Sequence, residues 1–84
     1  MKLRVWWIPQ VPMKPFYQEV KNIEEAKLLL KALAKYDIFQ FENNIKPDYS
    51  NVGGLEYYDE KESKWYDWEN ENGETIDDII ENNP

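Results

Sequence analysis

Three short stretches of this chain set aromatic rings beside polar or charged groups. Arg4, Trp6 and Trp7 stand near the start, Lys14, Phe16 and Tyr17 follow a proline-rich run, and Lys46, Asp48, Tyr49 and Asn51 share a polar stretch. A ring stacked on a nucleobase contributes about 1–3 kcal/mol, Lys or Arg neutralises phosphate, and Asp or Asn can hydrogen-bond base or ribose edges. These ten residues are therefore the expected ligand-binding set, and a small nucleotide is the ligand class they fit. The same rings are also the material of a small core, so each one has a structural reading beside the functional one.

The residue types that are missing narrow the chemistry further. The 84 residues include four Trp, six Tyr and three Phe but no His and no Cys. A Ser-His-Asp or Cys-His nucleophile system needs an imidazole to accept the proton, and the usual zinc sites need imidazole or thiolate. Both are excluded. Carboxylate pairs remain, but seventeen Asp and Glu in so short a chain produce pairs by chance, and a domain of this size is small for a catalytic cleft with its supporting shell. The expectation is a non-enzymatic binder with no cofactor and no metal. Glu69-Asn70-Glu71-Asn72-Gly73 resembles a calcium loop only in part: aligned on its glycine, it puts Trp68 at the first ligand position and Ile79 at the last, where charge is required. Asn72-Gly73 reads instead as a tight turn. Gly53-Gly54 lacks the Gly-Lys-Ser/Thr of a phosphate loop and reads as a strand entry that needs unusual backbone angles.

Charge is divided unevenly along the chain. Residues 1–55 carry eight Lys or Arg against six Asp or Glu, a surplus of +2, whereas residues 56–84 carry two against eleven, a surplus of −9. Duplex nucleic acid binds clustered cations and releases counterions, so it is not an expected partner. The acidic third reads either as a solubilising surface or as an acidic face that docks on a basic partner, in the manner of a nucleic-acid mimic. No apolar run approaches the roughly 20 residues of a membrane span, and the first eight residues are too short for a signal-peptide core. A cytosolic compartment and no membrane partner are expected.

The elements that must position these residues follow from periodicity. Lys2–Ile8 alternates as a strand with Leu3, Val5 and Trp7 on one face and Arg4, Trp6 and Ile8 on the other. Pro9–Pro15 is an extended loop, because proline lacks the ladder donor, and a second strand runs from Phe16 to Val20. Asn22 caps a helix carrying Ile23, Ala26, Leu30, Leu33 and Ala34 on its apolar side, with Glu24 and Glu25 in the first turn. Lys27, Lys31 and Lys35 form a basic stripe read as a solvated face. Ile38–Glu42 alternates again as a strand, and a long loop over residues 43–54 follows. Leu55–Tyr58 and Lys64–Glu69 form a hairpin, and Thr75 caps a short helix to Asn82 with Asp78 three residues on. The result is an α+β fold: about five strands, antiparallel or mixed, on one main helix, in one domain over residues 1–84 whose acidic segment begins near residue 70. At this length one protomer would struggle to enclose a nucleotide and keep a core, so a homo-oligomer is expected, by default a symmetric dimer.

Met1–Phe16 (MKLRVWWIPQVPMKPF), Phe41–Asn51 (FENNIKPDYSN) and Gly53–Glu56 (GGLE) together resemble a family of small bacteriophage and prophage proteins, some labelled superinfection exclusion proteins. The resemblance implies a phage-versus-host or phage-versus-phage role in the host bacterial cytoplasm. It implies no catalytic residues. Counter-defence by stoichiometric binding is the function that joins this setting to the residues, with a small (cyclic) nucleotide immune signal as the expected ligand; the alternative is an acidic protein inhibitor or nucleic-acid mimic that docks on a host or phage protein.

Overall fold

In the computed structural model, which describes residues 1–46 and 50–82, β1 (Leu3–Ile8) and β2 (Phe16–Val20) precede α1 (Ile23–Glu42). Then come β3 (Val52–Asp59), β4 (Lys64–Asp67) and α2 (Ile76–Asn82). The four strands form one antiparallel sheet in the order β2-β1-β3-β4. The α+β class holds with four strands rather than about five. The missing one is Ile38–Glu42, which continues α1 instead of forming a strand. No Pro or Gly interrupts Lys35–Glu42, so a helix already propagating gains one hydrogen bond per residue by running on. It ends at Asn43, whose backbone N–H and side-chain Nδ2 both donate to Phe39 O, at 3.1 and 2.8 Å.

The alternation of β1 decides where the core lies. Leu3, Val5 and Trp7 are buried, and they meet Ala26 and Leu30 of α1, Leu55 of β3 and Ile76 of α2. Both helices cover this one face of the sheet. The opposite face carries no helix among the described residues, and Arg4, Trp6 and Ile8 stand on it. The helix caps are those the sequence indicates: Asn22 Oδ1 accepts from Glu25 N at 2.9 Å while Glu25 Oε1 accepts from Lys21 N at 2.8 Å. At α2, Thr75 N donates to Asp78 Oδ2 at 3.1 Å and Asp78 N donates to Thr75 Oγ1 at 3.4 Å.

The glycine pair is explained by tryptophan, not by unusual backbone angles. β3 starts at Val52, so Gly53 and Gly54 lie inside a strand opposite Trp7 and Trp6, and neither has a positive φ. A Cβ on Gly53 would sit 2.2 Å from Trp7 Cε3, and one on Gly54 would sit 2.7 Å from Trp6 Nε1. Each glycine thus makes room for one indole, Trp7 on the core side and Trp6 on the helix-free side. The Asn72-Gly73 turn is as expected, with Gly73 at φ 77°.

Candidate functional site

Residues paired directly across antiparallel strands point to the same side of the sheet. Register therefore assembles the helix-free face from all four strands: Arg4 stands opposite Glu19 and Glu56, Trp6 opposite Tyr17 and Gly54, and Tyr58 opposite Trp65. At its centre the Arg4 guanidinium lies between two rings, with Cζ 3.8 Å from the Tyr17 centroid and 4.1 Å from that of Trp65. Glu56 Oε1 accepts from Arg4 Nε at 2.8 Å. Arg4 is held on three sides, and its two terminal nitrogens make no hydrogen bond among the described residues. Lys2 completes the patch, with Nζ 5.4 Å from the Tyr58 centroid, 5.6 Å from that of Trp65 and 3.5 Å from Glu19 Oε1. Tyr58 and Trp65 meet edge to face at 5.2 Å. Such cation–ring contacts contribute about 0.5–2 kcal/mol each as they lose water, so the patch is organised before anything binds.

A second polar cluster lies on the other side of the sheet, under α1. Asp37 is only 2% exposed, and its carboxylate accepts from Trp7 Nε1 at 3.0 Å and from Asn51 Nδ2 at 2.9 Å. Lys46 Nζ stands 3.2 Å from Asp37 Oδ1 and donates to Pro9 O at 2.6 Å. One buried carboxylate thereby ties together α1, β1, the proline loop and the entry to β3. A buried anion is tolerated only where partners replace its lost water, and here it has three.

The ten residues expected to bind ligand do not share one pocket. Arg4, Trp6 and Tyr17 come together on the helix-free face. Trp7, Lys46 and Asn51 converge on Asp37 in the interior. Phe16 faces the core side from the edge strand and remains 50% exposed, and Lys14 is exposed in the proline loop. Asp48 and Tyr49 lie outside the described residues. Sequence reasoning missed Glu56, Tyr58 and Trp65, which only register brings beside Arg4. It also missed Asp37, whose signal was present: Asp37 continues the apolar series Ala26, Leu30, Leu33, Ala34 at helical spacing, a place where a carboxylate needs a reason. Among the described residues no group of Asp and Glu could hold a metal ion, and no helix is long and apolar enough to cross a membrane.

The acidic third is concentrated around β4 and α2. Asp67, Glu69, Glu71, Asp77 and Glu81 have no ion-pair partner among the described residues, in contrast to Glu19, Glu24, Asp37 and Glu56. Partial burial, followed by the charges of Glu81 and Asp78, raises the Asp77 pKa above the usual carboxylate value. A raised native pKa means that the folded chain binds the Asp77 proton more tightly than the unfolded chain, so stability increases as pH falls through the window between the two values. Asp77→Asn is therefore expected to melt higher than the parent at pH 7 and level with it once the pH drops below about 3.9, the ordinary Asp pKa. Paired thermal melts across that range check it; a lower melting temperature for the variant at pH 7 would contradict it.

Geometry of this kind can hold a partner. Comparison with known proteins gives the setting. The family model described as superinfection exclusion gene product 17 matches residues 2–83. A superinfection exclusion protein of Salmonella phage P22 is 51% identical, the match covering 84% of this chain and 80% of that protein. No solved structure matches. With nearly its whole length matched, the chain belongs to the bacteriophage superinfection exclusion family of gene product 17.

Proposed function

We propose that the chain carries out superinfection exclusion as a stoichiometric, non-enzymatic binder, and that its helix-free sheet face docks on a protein of the host or of the competing phage. The observation that carries this reading is the state of the cations on that face. Arg4 is matched by Glu56 and Lys2 by Glu19, and their charges lie against Tyr17, Tyr58 and Trp65. A patch of Trp, Tyr and Arg with internally balanced charge has the composition of a protein interface centre. A phosphate would find no surplus of positive charge there.

Sequestration of a nucleotide signal is supported less well, because Trp6 and Trp7 point to opposite sides of one strand and Lys46 is engaged by Asp37 and Pro9. Thermal melts with a panel of linear and cyclic nucleotides separate the two readings. Ligand at about 100 times its Kd stabilises by about 2.7 kcal/mol, which in a domain of this size shifts Tm by roughly 10 °C or more. The expected result is no shift with any nucleotide. A shift of that size, with the nucleotide recovered unchanged, would replace protein docking by sequestration.

A further inference from the structure

β3 is longer than its partner on one side. β4 pairs with Glu56–Asp59, and Trp68 N donates to Leu55 O at 2.9 Å just beyond. Backbone groups alternate in direction along a strand, so Gly53, two residues before Leu55, turns its N–H and C=O to the same side. No described residue hydrogen-bonds them there. Beside this open edge lies a groove of about 230 Å³, lined among others by Trp6, Gly53, Asp67, Trp68, Ile76 and Asp77. Its walls are apolar, and its two carboxylates lack a cation within ion-pair distance among the described residues. Lys31 lines the hollow on the far side of Asp77 but makes no ion pair with it. The Trp6 indole N–H, packed over Gly54, has no acceptor among the described residues.

We propose that this groove takes an extended, basic segment of a partner protein, which adds to the open edge of β3 at Gly53 and sets a Lys or Arg side chain between Trp6 and the carboxylates of Asp67 and Asp77. Each part of the groove meets a part of such a segment. The Gly53 edge supplies main-chain pairing, as in strand addition, and the glycines allow a second backbone to come close. Trp6 offers a ring for a cation and an N–H for a carbonyl. Asp67 and Asp77 supply the charge, within a region that carries eleven acidic residues against two basic ones, which steers a basic partner and repels an acidic one. A free anion or an acidic peptide meets the wrong sign. Asp77, partly buried and beside the like charges of Glu81 and Asp78, reduces the stability of the free fold, a cost typical of residues kept for binding.

This inference rests on the chain being a protein binder; the groove adjoins the Tyr17–Arg4–Trp65 patch and shares the helix-free face with it at Trp6 and Asp67, but does not include Tyr17 or Trp65. It is tested on the full chain with a synthetic peptide of alternating lysine and valine, against a glutamate–valine control, followed by tryptophan fluorescence and by amide exchange at Gly53. The lysine peptide is expected to bind saturably and to slow exchange of the Gly53 amide, while the glutamate peptide does neither. Asp67→Asn with Asp77→Asn should weaken binding at least about tenfold, the range of lost charged contacts in a binding site. Glu42→Gln with Glu60→Gln, the same change in net charge at remote positions, should weaken it less than about threefold, through screened long-range attraction alone. Absence of binding, equal weakening by both pairs, or an unaltered Gly53 amide would overturn the proposal. Should the Asp67/Asp77 variant fold poorly, Gly53 protection in the parent decides. The Tyr17→Ala/Trp65→Ala variant should keep the peptide, so failure here and failure of the sheet-face reading are separately visible.

Discussion

Asp37→Ala is expected to remove about 3–5 kcal/mol of folding stability, the cost of breaking a buried ion pair from one side. The substitution leaves Lys46 without its carboxylate at a largely buried position and removes the acceptor of Trp7 Nε1 and Asn51 Nδ2 together. Against a total of about 5–15 kcal/mol for a natural domain, that loss brings the chain near its unfolding limit. Asp37→Asn keeps an acceptor oxygen but not the charge, and its cost should fall between parent and alanine. Urea titration gives the comparison, as a reduced midpoint at an unchanged slope. An Asp37→Ala midpoint equivalent to less than about 1 kcal/mol, the worth of one ordinary hydrogen bond, would show that Asp37 is not the node that joins the loops.

The second large effect is expected at Gly53. Its absent side chain is the space occupied by the Trp7 ring, and a Cβ 2.2 Å from Trp7 Cε3 leaves no ordinary contact distance. Trp7 cannot swing away, because it is buried and its Nε1 is bonded to Asp37. Gly53→Ala should therefore cost at least the 1–3 kcal/mol typical of an overpacked core. Gly54→Ala meets Trp6, which is partly exposed and whose indole has no hydrogen bond to hold it among the described residues, so the ring can tilt outward at less than about 1 kcal/mol. Equal losses at the two glycines, measured by the same titration, would contradict the view that each is matched to a different tryptophan.

These two sites show what was legible in the sequence and what was not. Alternation in Leu3–Ile8 and the Asn22 cap are local signals, and the strand and the helix start appear where they indicate. The Ile38–Glu42 segment is different: its alternation fits a strand, but a helix without a breaker simply continues, and the local pattern has no term for that. The candidate site was legible only in part, for a related reason. Arg4, Trp6 and Tyr17 could be singled out by residue type. Glu56, Tyr58 and Trp65 reach them through the register of three strand pairs, which residue spacing does not encode. Trp7, Lys46 and Asn51 were singled out by the same types, yet Asp37 draws them to the interior. Gly53-Gly54 stands out in the sequence only for its backbone freedom, whereas its partners are the Trp6-Trp7 pair, close to 50 residues away in sequence.

The most direct measurement of the central claim is plating efficiency of a superinfecting phage on hosts producing the parent chain or its Tyr17→Ala/Trp65→Ala variant. Those two rings hold Arg4 on the helix-free face, Tyr17 exposed and Trp65 half-buried, and neither belongs to the core cluster, so their loss removes cross-strand and cation–ring contacts of about 0.2–2 kcal/mol each and leaves the core intact. Circular dichroism and a melt should therefore find the variant folded. The parent is expected to reduce plating and the folded variant to lose that effect by at least about tenfold, as loss of an aromatic hot spot predicts. A folded variant that excludes phage as well as the parent would contradict docking through this face.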